Sequence, residues 1–341
     1  MRCCVLVLLL VACCLLVTAP LSAKSPAAPP AFAVAKHAVL GGEGWWDYVT
    51  YDPAFHRLYL ARADRVMVVD SETLKQVATI PDTPGVHGVA LAPELKRGFI
   101  SAGGANQVVA FDQDSLKEIK RIPTGERPDA ILYDPATRRV FTFNARGQST
   151  TAIDAASMTP IGDLALGGKP EAPAADGQGD IYVNIEDKSE MSEFDGRTLK
   201  ELARWSLAPC EEPSGLAIDT AHHLLFSVCQ NKLMAISDTD AKKMIATVPI
   251  GEGPDGAAFD PKLQLAFSSN GRSGNLTVVH EDSPSKFTVV QTVDTALGAR
   301  TNALDPKEHR LFLITADIKM ENGKRAMAPN SFQVLEVAPK K

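Results

Sequence analysis

Seven side chains recur five residues ahead of a repeated turn: Asp47, His87, Asp129, Glu171, Ser214, Asp255 and Arg300. If the repeats close into a ring, four carboxylates, an imidazole, a hydroxyl and a guanidinium stand around one opening. Crowded carboxylates raise one another's pKa unless a cation sits among them. Arg300 is one such cation. A single divalent metal is another, and His87, Asp129, Glu171 and Asp255 offer the nitrogen and oxygen donors that suit one. A metal there would lower the pKa of a bound water or polarise a carbonyl, the chemistry of a metal-dependent hydrolase or lactonase. Without a metal, the same residues read as turn caps or as a wet, charged rim that binds a small ligand or a protein.

The turn that sets this register is Asp52-Pro53, Ala92-Pro93, Asp134-Pro135, Asp176, Asp219, Asp260-Pro261 and Asp305-Pro306, at steps of 40, 42, 42, 43, 41 and 45 residues. A period near forty, with four short strand-like runs per period, is the pattern of a β-propeller blade. The expected fold is all-β: a seven-bladed β-propeller over residues 34–341. In the first unit the predicted strands are Tyr48 to Tyr51, Arg57 to Ala61, Arg65 to Asp70 and Lys75 to Ile80, rich in Val, Ile, Tyr and Thr. The third strand often ends in an acid (Asp70, Asp112, Asp154, Asp195, Asp238), placed to accept the backbone N–H two residues on and close the hairpin to the fourth strand. Gly88, Ala90, Ala130, Ala172, Gly215, Ala217, Gly256, Ala258 and Ala303 keep the innermost strands slim where blades converge. The last unit lacks a strand, and a polar insertion, Lys319 to Asn330, interrupts it. The unassigned run Val34 to Leu40 is expected to be the outermost strand of the seventh blade, closing the ring and protecting its edges.

The runs Phe141-Thr142-Phe143-Asn144 and Ile181-Tyr182-Val183-Asn184, with Gly-x-x-Pro openings at Gly125, Gly167 and Gly251, resemble YVTN-type repeats. Over about residues 38–341 the chain is similar to the YncE-like family of exported bacterial propellers. That resemblance implies a seven-bladed periplasmic or secreted propeller. It assigns no reaction, since the family is defined by fold and repeat, and some relatives have nucleic-acid or metal-linked roles.

A second register, ten residues after each turn, holds Arg62, Ala102, Asn144, Asn184, Cys229, Asn270 and Thr315, at the same rim as the first. The asparagines suit left-handed turn backbone. Cys229 stands where Asn recurs, and Cys210 replaces the glycine of Gly-x-x-Pro. Both fall at one rim of blade 5, so a disulfide is expected between them.

Composition sets the context. The chain has 341 residues and a net charge of −6, with no basic cluster, so nucleic-acid binding ranks last among the readings. Arg2, the apolar run Cys3 to Val17 and Leu21-Ser22-Ala23 have the pattern of a secretory signal over residues 1–23, followed by a flexible leader over residues 24–33. Lipid attachment at Cys13 is the weaker alternative, because the apolar run continues past it. Removal of the signal takes four of six cysteines and leaves Cys210 and Cys229. The expectation is a monomeric periplasmic or secreted protein without a membrane span, working as a binding scaffold through one rim, with Trp45 and Trp46 either packing between the first and seventh blades or serving as aromatic surface beside Asp47. No Cys-x-x-Cys-His, His-Glu-x-x-His or Gly-x-Ser-x-Gly motif is present.

Overall fold

A computed structural model describes residues 29–321 and 324–340. The expected signal segment, Cys13 and most of the expected leader lie outside the described residues. The chain is a seven-bladed β-propeller. Blades 1 to 6 are four-stranded antiparallel sheets taken in chain order, beginning with Trp46–Asp52, Arg57–Arg62, Arg65–Asp70 and Gln76–Ile80 in blade 1. Their inner strands are Trp46–Asp52, Val86–Ala92, Pro128–Asp134, Pro170–Ala175, Pro213–Asp219 and Pro254–Asp260; the seventh is Asn302–Asp305.

Blade 7 is built from both ends of the chain. From the axis outwards it runs Asn302–Asp305, Arg310–Thr315, Gln333–Pro339 and then Phe32–Val39. The closing strand starts at Phe32, ahead of the expected Val34. The reason is packing: Phe32 is fully buried, edge-on to Phe267 of blade 6 with ring centroids 5.3 Å apart. Its backbone is held from both sides by Gln291, which accepts from the Phe32 N–H and donates to the Phe32 carbonyl, both at 2.8 Å. The insertion is more ordered than its composition suggests, since Ile318–Glu321 and Lys324–Met327 pair as a hairpin.

The turn acids act as the sequence predicts. Asp52, Asp134, Asp176, Asp219, Asp260 and Asp305 each accept backbone N–H groups two to four residues on. In blade 2, where Ala92 replaces the acid, the turn Pro93–Leu95 is a short 3-10 helix. Asp70, Asp112, Asp154, Asp195 and Asp238 cap the next hairpin, chiefly through the N–H three residues on.

Between blades the core is apolar sheet on apolar sheet, with a fully buried Phe at the middle of most second strands (Phe99, Phe141, Phe226, Phe267, Phe312). Near the axis there is no room for that. A Cβ on Gly215 would come within 2.8 Å of the Ala257 nitrogen, and one on Gly256 within 2.8 Å of the Asn302 nitrogen. Small polar side chains stitch neighbouring blades there instead. Thr50 donates to Val89 O, Ser101 to Asp129 O, Asn184 to Ser214 O, Ser214 to Pro254 O, Ser269 to Arg300 O and Thr301 to Asp47 O, all at 2.6–2.9 Å. This stitching holds the start of most inner strands, and with them most of the residues at the channel mouth.

Candidate functional site at the channel mouth

The closed ring brings the first register to one rim, and its members pair with one another. Arg300 Nε donates to Asp255 Oδ2 at 2.6 Å, while its Nη2 reaches Asp47 Oδ1 at 3.1 Å and the Trp46 carbonyl at 3.2 Å. His87 Nδ1 lies 2.6 Å from Asp47 Oδ2 and 3.2 Å from Asp129 Oδ1. Glu171 meets Lys169, which sequence reasoning did not single out, at 2.7 Å, and Lys169 also contacts Glu186. Ser214 turns away from the opening into the stitching. Of the metal set expected from the sequence, His87 and Asp129 come together with Asp47, their ligand atoms all within 4.8 Å of one another. Asp255 is drawn to Arg300 and Glu171 to Lys169.

Burial and crowding tune these groups. Burial pushes the Asp129 carboxyl up to about 6, with His87 pulling the other way and the charges of Asp47 and Asp255 adding to the rise. Glu171 is raised well above the ordinary range, by burial first and then by Asp129 and Asp255. Asp255 is raised by burial despite Arg300. For His87 burial works downward, but the hydrogen bond it donates to Asp47 and the charges of Asp129 and Asp47 outweigh it and leave the imidazole raised.

Beneath the ring the channel narrows to a cavity of about 180 Å³ lined by Tyr48, Gly88, Ala130, Ala172, Gly215 and Gly256, among others. Tyr48 crosses from blade 1 to pack against the core shared by blades 3 and 4. Burial and the surrounding carboxylates hold its phenol well above the usual range, so it stays protonated. Its neighbour Asp47 was the signal that could have marked it.

Off the axis, across blades 5, 6, 7 and 1, the same rim opens into a cleft of about 450 Å³. Its floor is Asp255 and Arg300; its walls include Trp45, Trp46, Arg272, Leu297 and Ile318. The two tryptophans divide the roles open to them. Trp46 is buried in the core between blades 1 and 7, near Phe332, and its indole Nε1 has no partner among the described residues. Trp45 is 51% exposed and Leu297 63%. Arg272 is exposed, with its stem laid across Gly253, where a Cβ would fall 2.5 Å from Arg272 Cγ. No carboxylate pairs with it among the described residues; neighbouring Glu252 is taken by Lys232 at 3.3 Å.

The second register is structural. Asn144 and Asn270 sit in strands, not in left-handed turns, and donate to Ser149 and Thr151 and to Asn275 and Thr277 respectively. Arg62 is fully buried, donating to the carbonyls of Gly41, Gly42, Glu43 and Gly44 over the Phe332 ring; burial lowers it to about 10. Cys210 and Cys229 form the expected disulfide, with Cα atoms 5.6 Å apart.

No protein-family model matches the chain, and no curated protein sequence does. Solved structures match over most of its length. They include a chain of the mitotic checkpoint complex (TM-score 0.75, 12% identity, covering 98% of this chain and all of that one) and the WD40 repeats of RRP9 (TM-score 0.72, 12% identity, 91% and 99%). A chain of Kuenenia stuttgartiensis hydrazine synthase matches at TM-score 0.67 and 16% identity, over 78% of this chain and 91% of that one. At such identities the likeness is one of fold.

Proposed function

We propose that the protein is an exported binding module, similar to the YncE-like propellers, that holds a small acidic ligand with a planar or apolar face in the cleft at the channel mouth. The observation that carries this reading is the cleft itself. Its volume lies within the range of small-molecule sites. An exposed indole and an unpaired guanidinium stand together at its edge, over a floor whose charges are already matched. Apolar residues exposed elsewhere (Val77, Ile119, Ile161, Leu202, Val290) are spread over the outer strands of different blades and form no comparable wall. Export is supported by the disulfide, which persists in oxidising compartments, and by the signal-like N-terminal sequence. Among the described residues no helix is long and apolar enough to cross a membrane. The mouth is acidic overall, which gives nucleic acid no basic stripe to follow. A thermal-shift panel of aromatic and sugar carboxylic acids tests the reading. Ligands that stabilise the wild type but neither Trp45→Ala nor Arg272→Ala support it; a silent panel counts against it.

The convergence of Asp47, His87 and Asp129 favours a second reading, a divalent ion at the mouth serving hydrolysis of an ester or lactone. Elemental analysis of protein purified without chelator or metal-affinity resin decides it. A metal lost in His87→Ala, with lactone or ester turnover lost alongside, supports this reading. A metal-free, inactive wild type removes it.

A further inference from the structure

On the opposite rim, two junctions between blades can be compared directly. In each, a residue of one blade lies beside the turn acid of the blade before it. In blade 2 this residue is Gln113, whose N–H binds Lys96 O and whose Nε2 donates to Asp52 Oδ2 of blade 1 at 3.0 Å. An amide donor thus meets a carboxylate acceptor. Glu281 holds the equivalent place in blade 6: it lies near the end of the longer third strand, Asn275–Ser283, and its N–H binds Gln264 O in the same way. Its neighbour across the junction is the blade 5 turn acid, Asp219. Here two carboxylates face each other where an amide and a carboxylate face each other between blades 1 and 2.

The third member of the group is His222, from the turn that Asp219 caps. Its Nδ1 lies 2.6 Å from Asp219 Oδ2 and 2.8 Å from Glu281 Oε1. One N–H has one direction, and this one is taken by Asp219. Asp219 is 3% exposed and Glu281 1%, and neither oxygen of Glu281 has a hydrogen-bond partner among the described residues. A carboxylate buried to this degree without partners is costly, and a bound cation is one of the few things that offsets it.

We propose that Asp219, His222 and Glu281 bind a divalent transition-metal ion that clamps blade 5 to blade 6. One imidazole nitrogen and two carboxylate oxygens suit Zn²⁺ or Mn²⁺ better than Ca²⁺ or Mg²⁺, which favour all-oxygen sets. The donor atoms need little rearrangement. Ligands about 2.1 Å from a tetrahedral zinc stand roughly 3.4 Å apart, so the side chains must spread by less than about 1 Å. His222 has the freedom to do so, since a third of its side chain is exposed, and that opening also admits the ion and a water as fourth ligand. The role is structural, because the three side chains join the turn of blade 5 to the third strand of blade 6 and the mouth residues lie at the other end of the channel.

Zinc titration by calorimetry tests this, using the full chain stripped of metal and carrying His87→Ala so that the mouth triple cannot contribute. The expected result is one zinc per chain, with a melting temperature that rises on binding. Glu281→Gln in the same background recreates the amide–acid pairing seen at Gln113 and Asp52. It should therefore melt at or above the metal-free parent, yet bind zinc at least tenfold more weakly and show no thermal response. His222→Ala, a second and independent variant, should lose the response as well. The proposal is overturned if the parent takes up no zinc, or if Glu281→Gln and His222→Ala bind it as the parent does.

Discussion

Asp129 is the residue on which the electrostatics of the mouth can be read from outside. It faces His87, Asp47, Asp255 and Lys169, and burial pushes its carboxyl up to about 6. In the unfolded chain the same group titrates near about 3.9. Between those values the folded protein holds a proton that the unfolded chain has released, so the contribution of Asp129 to stability is full below about pH 4 and is lost as pH rises through about 6. Glu171 and Asp255 are raised too and act in the same sense. The hairpin acids Asp70, Asp112, Asp154 and Asp195 are lowered by hydrogen bonds to the residues they cap and act in the opposite sense, below the ordinary carboxylate range. Urea unfolding at a series of pH values should therefore show stability falling from pH 4.5 to pH 7.5, and Asp129→Asn should make that fall smaller by about 2 kcal/mol. An unchanged slope in the variant would mean that the mouth carboxylates are not strained by burial. The acids themselves were legible in the sequence, because a fixed offset from a repeated turn places them on one ring. Their partners were not. Lys169 lies outside the register, and Tyr48 reaches its position by crossing the channel, which depends on the side-chain direction of an inner strand.

At the scale of the element, the closing strand shows how far local pattern reaches. Val34 to Leu40 was identifiable as an extra strand because seven turns and twenty-seven strands leave one blade short, and the structure puts it outermost in blade 7, over Gln333–Pro339. The true start at Phe32 escaped detection because its reason is long-range: Phe267 and Gln291 belong to blade 6. Phe32→Ala removes a fully buried ring from the strand that pairs with Gln333–Pro339 in blade 7. It should cost about 3 kcal/mol in urea unfolding, whereas Val39→Ala, at an exposed position of the same strand, should cost about 0.5 kcal/mol or less. Equal small effects would show that the strand frays and that the ring is closed by the other three strands of blade 7. The hairpin within Lys319 to Asn330 illustrates the converse limit. Here a local signal was present in the sequence, the Asn322-Gly323 pair between the runs that become Ile318–Glu321 and Lys324–Met327, and the polar composition of the insertion masked it.

The whole molecule is a ring whose two rims differ in kind. One carries a charged, internally paired opening and a partly aromatic cleft; the other carries the turn acids, some of which reach the next blade, as Asp52 does to Gln113 and Asp260 to His309. The repeat in the sequence specified the ring, the number of blades and the rim on which each register lies, because these follow from period and strand order alone. It did not specify the cleft, which is made by departures from the repeat: the tryptophans before the first inner strand, Arg272 and Leu297 in loops of blades 6 and 7, and Ile318 at the start of the hairpin. Function in this fold resides in such departures. The central claim, that this cleft is a binding site for a small acidic ligand, is tested most directly by calorimetric titration of the strongest compound from the acid panel. The titration is run into wild type, Trp45→Ala, Arg272→Ala and Lys307→Ala, the last an exposed position on the opposite rim. One site per chain, weakened at least tenfold by either cleft variant and unchanged by Lys307→Ala, is the predicted result; equal affinity for all four proteins would contradict it.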